Sequence, residues 1–345
     1  MRKYIKFLGL LGALFMLCLA CEDQNEPEAL LIQKPFERSE EYYENLRAYK
    51  RSNHSIICGW FKHWSAKGPN RVNYLDGLPD SLDLAFIGWG GWQNMDEARA
   101  KDMKYVQEKK GTRVLISFVI TNIGANITPK AYDTDKATRE EFWGWIDGDP
   151  TTYEAAIRKY ANAICDTVYD KGFDGFDLDY EPHYGGNGNL ASYNDRMAIL
   201  VEELGKRLGP ASGTGKMLVI DGETLDPSIA DRTTKHFDYF VQQSYNATSA
   251  SSLDGSGCWQ YAKKAKFRPD QYVPAVNYEK WESGGGNFTD PIHGKIPAIL
   301  GFAYWNSVDG RKGGVGALNI ENDAKHEINY KYVRQAIQIM NPAVY

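Results

Sequence analysis

Cysteine is scarce in this sequence, and the few cysteines form no recognisable pattern. Of the five, three lie beyond the N-terminal segment, at Cys58, Cys165 and Cys258. An odd number at these spacings fits neither a disulfide framework nor a metal-binding motif. Cys58 and Cys165 fall in apolar segments, where a free cysteine behaves as a small hydrophobic side chain. We therefore expect neither structural disulfides nor a cysteine-bound metal.

The sequence also lacks an excess of positive charge, internal repeats and low-complexity segments. Its formal net charge is −5 and its isoelectric point is about 5.8, which argues against a nucleic-acid-binding surface. Its six histidines form no recognisable ligand set. With 345 residues, of which 43% are apolar, the chain is long enough for one α/β barrel of ordinary size, and no second domain is needed.

The N-terminus carries an apolar run, residues 7–20, that is too short for an ordinary membrane span. Three basic residues precede it: Arg2, Lys3 and Lys6. The run ends at Ala20-Cys21 and resembles a bacterial lipoprotein signal, in which the cysteine becomes the lipidated first residue. Cys18 departs from that pattern, because a leucine is usual there. Ordinary secretion with cleavage near Ala20 is the alternative.

The lipoprotein resemblance implies a location and a domain organisation. Residues 1–20 would be the signal peptide, and 21–51 a tether and N-terminal strap with a short helix at Ser39–Tyr49. Residues 52–345 would form one domain, which we expect to be monomeric. A lipid anchor at Cys21 tethers a protein to a membrane without spanning it. Glu22 and Asp23 are similar to residues of surface-exposed lipoproteins of Bacteroidetes, so we expect an outer-membrane lipoprotein at the cell surface or the periplasmic face.

From residue 55 onwards, predicted strands alternate with helices, which is typical of βαβ units and a parallel sheet. The eight predicted strands are Ser55–Trp60, Leu82–Ile87, Arg113–Val119, Gly172–Glu181, Met217–Asp221, Tyr239–Tyr245, Tyr272–Val276 and Ile299–Trp305. The predicted helices are Met95–Lys110, Tyr153–Tyr169, Leu190–Leu208 and Ile328–Met340. The pattern predicts a single (β/α)8 TIM barrel, whose functional groups lie at the carboxyl ends of its strands.

The most informative stretch is the fourth predicted strand, where three carboxylates recur at every second residue: Asp177, Asp179 and Glu181. Side chains alternate faces in a strand, so the three share one face, about 6.6 to 7 Å apart. Acids held this close repel, and at least one should have a raised pKa, which suits a general acid. A solvated surface strand is the alternative, but the opposite face is too apolar for it.

The segment Asp174-Gly175-Phe176-Asp177-Leu178-Asp179-Tyr180-Glu181 resembles the DGxDxDxE signature of glycoside hydrolase family 18. That family comprises chitinases, endo-β-N-acetylglucosaminidases and some inactive lectin-like members. Weaker similarity extends from about Ile56 to Trp305. The resemblance implies a (β/α)8 barrel that cleaves a bond at an N-acetylated sugar and needs neither a metal nor an organic cofactor.

The resemblance also implies the roles of four residues. Family 18 is an exception among glycosidases, because the 2-acetamido group of the substrate attacks the anomeric carbon. Glu181 would protonate the leaving oxygen, and Asp179 would orient the acetamido nitrogen and stabilise the oxazolinium ion. Asp177 would modulate Asp179, and Tyr245 would position the acetamide for attack.

Other strand ends carry candidate substrate-binding residues. They are Asp221 at the end of the fifth strand, Gln243 and Asn246 at the end of the sixth, and Trp305 at the end of the eighth. By resemblance, Trp305 would form the floor of the sugar site; for Trp305 and Tyr245, packing in the core is the alternative. The third strand departs from many chitinases, because Val119-Ile120 replaces their Gly-Gly pair after Ser117.

The predicted substrate is an N-acetylglucosamine-containing glycan or glycoprotein. The interval Asn277–Ala298 is too short for the inserted module of deep-cleft chitinases, and the loops His183–Asn189 and Ala247–Gly257 suit an open rim. We therefore expect an endo-β-N-acetylglucosaminidase acting on the chitobiose core of N-linked glycans. A chitinase and a non-catalytic surface glycan-binding lipoprotein are the alternatives.

Overall fold

The computed structural model describes residues 38–282 and 284–342. Eight parallel strands close into a barrel, in the spatial order β1-β10-β7-β6-β5-β4-β3-β2. The barrel strands are β1 Ile56–Trp60, β2 Leu84–Ile87, β3 Arg113–Val119, β4 Gly175–Tyr180, β5 Met217–Gly222, β6 Tyr239–Gln242, β7 Tyr272–Asn277 and β10 Gly314–Leu318. The predicted (β/α)8 barrel is confirmed.

Helices surround the barrel. They are α1 Glu40–Arg51, α2 Glu97–Tyr105, α3 Lys136–Trp143, α4 Tyr153–Asp170, α5 Asn194–Leu204, α6 Ala230–Thr233, α7 Ala250–Leu253, α8 Trp259–Lys264, α9 Ala298–Tyr304 and α10 Lys331–Met340. A π-helical turn, Val106–Lys110, continues α2. Within the described ranges, none of the helices has the length and apolar character needed to cross a bilayer.

The longest helix illustrates how the sequence builds the outer layer. In α4, the spacing predicts an apolar stripe of Tyr153, Ile157, Tyr160, Ile164 and Val168; the last four are buried, and Tyr153, in the first turn, is half-buried. The chain then reverses at Gly172, whose positive φ of 74° suits a residue without a Cβ, and it enters β4 within a few residues. This short connection delivers the acidic strand directly into the barrel.

The eighth strand was predicted in the wrong place. Residues Ile299–Trp305 are not a strand, because the structure has helix α9 at Ala298–Tyr304. A short, continuous apolar run fits a buried helix and a buried strand equally well by periodicity. The true last strand, β10, is rich in glycine: a Cβ added at Gly314 would lie 2.1 Å from the carbonyl oxygen of Ile56. Close packing against β1 therefore requires a residue type with low strand propensity.

The connection from β7 to β10 is consequently longer than predicted. It contains an antiparallel hairpin, β8 Asn287–Asp290 and β9 Gly294–Pro297, followed by α9. The Thr289 amide donates to the carbonyl oxygen of Thr248, 2.8 Å away, in the loop that follows β6. The hairpin therefore supports a loop at the carboxyl end of the barrel, and the described part of this connection is smaller than an α/β module.

Several predictions concern residues outside the described ranges, namely the signal peptide, the lipidation site Cys21 and most of the tether. Helix α1 covers the predicted short helix, and its second half packs on the amino-terminal end of the barrel. There Arg47 Nη1 donates to the carbonyl oxygen of Lys109 at 2.9 Å, and Lys50 Nζ donates to Thr112 Oγ1 at 2.7 Å. The domain boundary at residue 52 stays a prediction.

Candidate active site

Four carboxylates converge at the carboxyl end of the barrel. Asp177 and Asp179 point inward from β4, Glu181 follows the end of that strand, and Asp221 lies on β5, where it pairs in register with Asp179. Asp177 and Asp221 have no exposed surface, whereas Asp179 and Glu181 are half-buried. The acids therefore form a stack that runs from the closed interior outward to Glu181.

Trp60, at the end of β1, holds the two deepest acids together. Its single indole N–H lies 3.0 Å from Asp177 Oδ2 and 3.2 Å from Asp221 Oδ2. Ser117 on β3 is paired in register with Asp177 and donates a further hydrogen bond to it. The sequence analysis missed Trp60, although an aromatic residue at the end of a predicted barrel strand was a signal for it.

The interior acids retain protons at higher pH than isolated carboxyl groups. Burial raises the pKa of Asp177 to about 6, although the hydrogen bonds from Asp221, Ser117 and Trp60 oppose this rise. Burial, followed by repulsion from Glu181, raises the pKa of Asp179 to about 8. Burial, then the charges of Asp177 and Asp179, raises the pKa of Asp221 well above its usual range. At neutral pH the stack therefore shares protons instead of carrying a full charge on each carboxyl group.

Glu181 is held by Gln243, which follows β6. The Gln243 amide nitrogen donates to Glu181 Oε1, and it lies 3.5 Å from Asp221 Oδ1. Burial raises the pKa of Glu181; the hydrogen bond from Gln243 lowers it, and the charge of Glu223 raises it further. A half-buried glutamate with a raised pKa at the open end of the stack has the properties of a general acid.

The same acids are the place where a cation would bind. One oxygen each from Asp179, Glu181 and Asp221 lie within 4.8 Å of one another, which is the only such group of potential metal ligands among residues 38–282 and 284–342. Carboxylate oxygens are the ligands that hard cations prefer. The expectation that no metal or other cofactor is needed stays a prediction.

A cavity of about 450 Å³ opens above the acid stack. Asp179, Glu181, Asp221, Gln243 and Tyr245 all line it. Burial, then the charges of Asp221, Glu181 and Asp179, raises the pKa of Tyr245 well above its usual range. The phenol therefore stays protonated and can donate a hydrogen bond to an oxygen of a bound molecule. The exposed side chain of Asn246, also predicted to bind substrate, is not part of the lining.

Trp305 does not occupy the predicted position. It follows helix α9, its side chain is buried, and its indole N–H donates to Asp254 Oδ1 at 3.3 Å. Its ring packs edge-on against Tyr272, with centroids 6.0 Å apart. The last barrel strand ends in Leu318, which lines the cavity. The predicted sugar-site floor at Trp305 was wrong because it depended on the wrong eighth strand.

The loop after β2 supplies a wall of the cavity that sequence analysis missed. Gly88, Trp89, Gly90, Trp92 and Gln93 all line the cavity. The two tryptophans set among glycines directly after a barrel strand were the available signal. The wall adds apolar aromatic surface beside the acids, so the cavity combines a proton donor with a surface for an uncharged ligand.

Comparison with known proteins assigns the site to a family. A family model described as glycoside hydrolase family 18, BT1044-like, matches residues 23–339. The chain belongs to glycoside hydrolase family 18. It is therefore a glycoside hydrolase, and the family 18 signature that it carries coincides with β4 and the acid stack.

Individual relatives cover nearly the same length. Endo-beta-N-acetylglucosaminidase F2 of Elizabethkingia meningoseptica is 26% identical over 316 residues, which span 86% of this chain and 85% of the relative. The solved structure of BT1044, in selenomethionine form with one glutamate-to-glutamine substitution, is 30% identical with a TM-score of 0.74, covering 88% of this chain and 93% of the other. An endo-beta-N-acetylglucosaminidase from Cordyceps militaris is 25% identical with a TM-score of 0.62, covering 89% and 97%.

Proposed function

We propose that this family 18 enzyme is an endo-β-N-acetylglucosaminidase that hydrolyses the β-1,4 bond within the N,N′-diacetylchitobiose core of N-linked glycans. The observation that carries the proposal is the arrangement of Glu181, Asp179 and Tyr245 around one open cavity. The two relatives named for this activity, from Elizabethkingia meningoseptica and Cordyceps militaris, support the choice of bond.

The proposed mechanism is retaining and substrate-assisted. Glu181 donates its proton to the glycosidic oxygen while the acetamido oxygen of the substrate attacks the anomeric carbon, so that the glycosidic bond breaks and an oxazolinium ion forms. Asp179 accepts a hydrogen bond from the acetamido nitrogen and stabilises the positive charge. The Tyr245 hydroxyl holds the acetamide in position, which is a proximity effect. Glu181 then removes a proton from water, which opens the ring with net retention.

Gln243 and the interior acids support this sequence of proton transfers. Gln243 fixes the side chain of Glu181 through its amide N–H, so that the carboxyl group faces the cavity. Asp221 lies beside Asp179 in the sheet and carries a raised pKa, so it provides a protonated neighbour for Asp179. In this proposal Asp177 and Asp221 act through Asp179 and do not touch the substrate.

The experiment that tests the proposal is mass spectrometry of glycans released from a high-mannose glycoprotein and a complex-type glycoprotein, with a chitooligosaccharide in parallel. Glycans that carry one reducing-end N-acetylglucosamine, with the other retained on the protein, are the expected products. Cleavage of the chitooligosaccharide alone would make the enzyme a chitinase. Binding of glycans without cleavage of any substrate would make it a glycan-binding protein.

We further propose that the enzyme is an outer-membrane lipoprotein anchored at Cys21, facing either the cell surface or the periplasm. The support is the apolar run that ends at this cysteine. Metabolic labelling with a palmitate analogue should mark the wild-type chain and not a Cys21→Ala variant. Protease treatment of intact cells then decides between the two faces. Labelling of both forms, or of neither, would refute the anchor.

A further inference from the structure

We infer that Trp89 forms a sugar-stacking platform at the rim of the cavity and contacts a pyranose ring beyond the one that reacts. This inference rests on the proposed function for the kind of ligand, and it adds a binding subsite supplied by the loop after β2. Three independent features of Trp89 support it: its exposure, its backbone conformation and its position relative to Glu181.

Exposure separates Trp89 from the other tryptophans. The chain has nine, and all lie within the described ranges. Seven of them are at most 6% exposed, Trp281 is half-buried, and Trp89 is 54% exposed. A single exposed aromatic residue is not unusual by itself. An exposed indole that also lines a catalytic cavity leaves an apolar surface in water where a ligand would cover it.

The backbone holds Trp89 in a conformation that bulky residues avoid. Its φ is 47°, in the left-handed region, where a side chain crowds its own backbone. The turn is closed by hydrogen bonds from the Gly91 amide to the Gly88 carbonyl oxygen at 2.9 Å and from the Asn94 side chain to the Gly90 carbonyl oxygen at 2.7 Å. Strain of this kind persists only where the surrounding structure imposes it, and it concentrates at ligand-binding sites.

Neighbouring side chains fix the loop and orient the exposed ring. Trp92, three residues further on, is 3% exposed and packs on Phe118, with ring centroids 5.6 Å apart, so it anchors the loop to the barrel. The Lys62 ammonium lies 5.5 Å from the centroid of Trp89, within the range of a cation–π contact, and is itself paired with Glu279 at 3.3 Å. The indole is thus presented on a rigid support, which lowers the entropic cost of binding.

The position of Trp89 decides which part of a glycan it contacts. Strands β2 and β4 are separated by β3, so their ends lie about 10 Å apart at ordinary strand spacing. Trp89 therefore enters the cavity from a strand end two strand spacings away from that of Glu181, and both residues line the same cavity. A glycan that places one sugar against Glu181 brings a further ring over the indole. The axial C–H groups of a pyranose form an apolar face that suits an aromatic surface.

The first test is the kinetics of Trp89→Ala and Trp89→Phe on an N-glycosylated glycopeptide. We expect Trp89→Ala to raise KM about tenfold with kcat changed less than about twofold, because the platform binds ground state and transition state equally. Trp89→Phe should recover most of the affinity. Tyr132→Ala is the matched control, because Tyr132 is 48% exposed and is not part of the cavity lining.

The second test is acrylamide quenching of tryptophan fluorescence in the Glu181→Gln variant, with the glycopeptide as the ligand. Since Trp89 is the most exposed indole, it should dominate the quenching, and bound glycan should protect it. Protection should disappear when Trp89→Phe is added. Unchanged KM for Trp89→Ala in an active enzyme, or protection that survives Trp89→Phe, refutes the platform and leaves the proposed function standing. If the wild-type enzyme releases no N-glycan, the proposed function fails, and quenching with a chitooligosaccharide then decides on the platform separately.

Discussion

The indole N–H of Trp60 lies 3.0 Å from Asp177 Oδ2, so a residue at the end of β1 donates a hydrogen bond to the deepest acid of β4. The same N–H reaches Asp221 Oδ2 on β5. β1 is thereby joined, at one buried point, to the neighbouring strands β4 and β5, which lie more than a hundred residues further along the chain. We expect this point to control how protons are shared in the acid stack.

Replacing Trp60 by phenylalanine tests this role. The variant keeps most of the aromatic packing but removes the indole N–H that both buried acids share. Because this donor favours the ionised form, the pKa of Asp177 should rise, although Ser117 still donates to it. We expect kcat to fall about 10- to 100-fold, as for the loss of about 1.4–2.7 kcal/mol of hydrogen bonding to a buried charged group, with little change in KM.

The control for this experiment is Trp64→Phe. Trp64 is equally buried and donates its indole N–H to Asp102 Oδ2 at 2.9 Å, outside the acid stack. Trp64→Phe should therefore lower thermal stability without a comparable loss of kcat. Equal losses of kcat in both variants would show that Trp60 is only a packing residue.

Glu181→Gln should abolish most of the activity while glycan binding persists. The amide cannot donate or accept the proton that the glycosidic oxygen requires, and general acid–base catalysis contributes about 10²- to 10⁴-fold. Steady-state rates on a glycopeptide and binding by calorimetry measure the two effects. Glu154→Gln, on the outer surface of α4, removes an exposed carboxylate and should leave both quantities unchanged. Activity retained in Glu181→Gln would mean that another group supplies the proton.

The alkaline limit of activity should depend on Glu223. This residue accepts hydrogen bonds from the His183 amide at 3.0 Å and from His183 Nδ1 at 2.7 Å, and its charge raises the pKa of Glu181. Glu223→Gln removes that charge, so the pKa of Glu181 should fall and the alkaline limb of kcat/KM should move to lower pH. His183→Ala should not reproduce the shift while Glu223 keeps its charge. A limb that does not move, or moves upward, contradicts this account.

Asp177→Asn should make stability less dependent on pH. The pKa of Asp177 is raised in the folded protein from its usual value of 3.8 to about 6. Below pH 3.8 the group is protonated in both the folded and the unfolded state, so it does not lower the free energy of unfolding. Between pH 3.8 and pH 6 its ionisation lowers that free energy progressively, by about 3 kcal/mol at most. The variant should be more stable relative to wild type at pH 8 than at pH 4. Chemical denaturation at both pH values measures the difference; an equal effect at both would contradict it.

Local signals predicted most of the barrel. Arg113–Val119 was predicted with the bounds of β3, because its apolar and β-branched residues begin shortly after Gly111 and end shortly before the polar pair Thr121-Asn122. The acids of β4 were placed on the inner face because strand alternation is a local rule. Family resemblance added the expected roles of Glu181 and Tyr245, which kinetics have still to test.

Features that depend on distant contacts were not predictable in this way. The link from Trp60 to Asp177 and Asp221 depends on how strands far apart in sequence are arranged around the barrel. The last strand, β10, was missed because close packing against β1 and β7 selects glycine there, and glycine carries no strand signal. Trp305 was misplaced for the same reason. Sequence patterns indicate the secondary structure that a segment prefers. The positions of Trp60, β10 and Trp305 are instead decided by the residues that pack against them from distant parts of the chain.

The pairing of β10 with β1 has a consequence for how the enzyme comes to be folded. The barrel is closed by its first and last strands, with Ile56 opposite Gly314, so its most distant segments must meet before the sheet is complete. Contacts of such long sequence separation form slowly. Until they form, β1 has an open edge that can pair with strands of other chains. A chain that lacks β10 would therefore form an open sheet that is prone to aggregate. It would not form a smaller active enzyme.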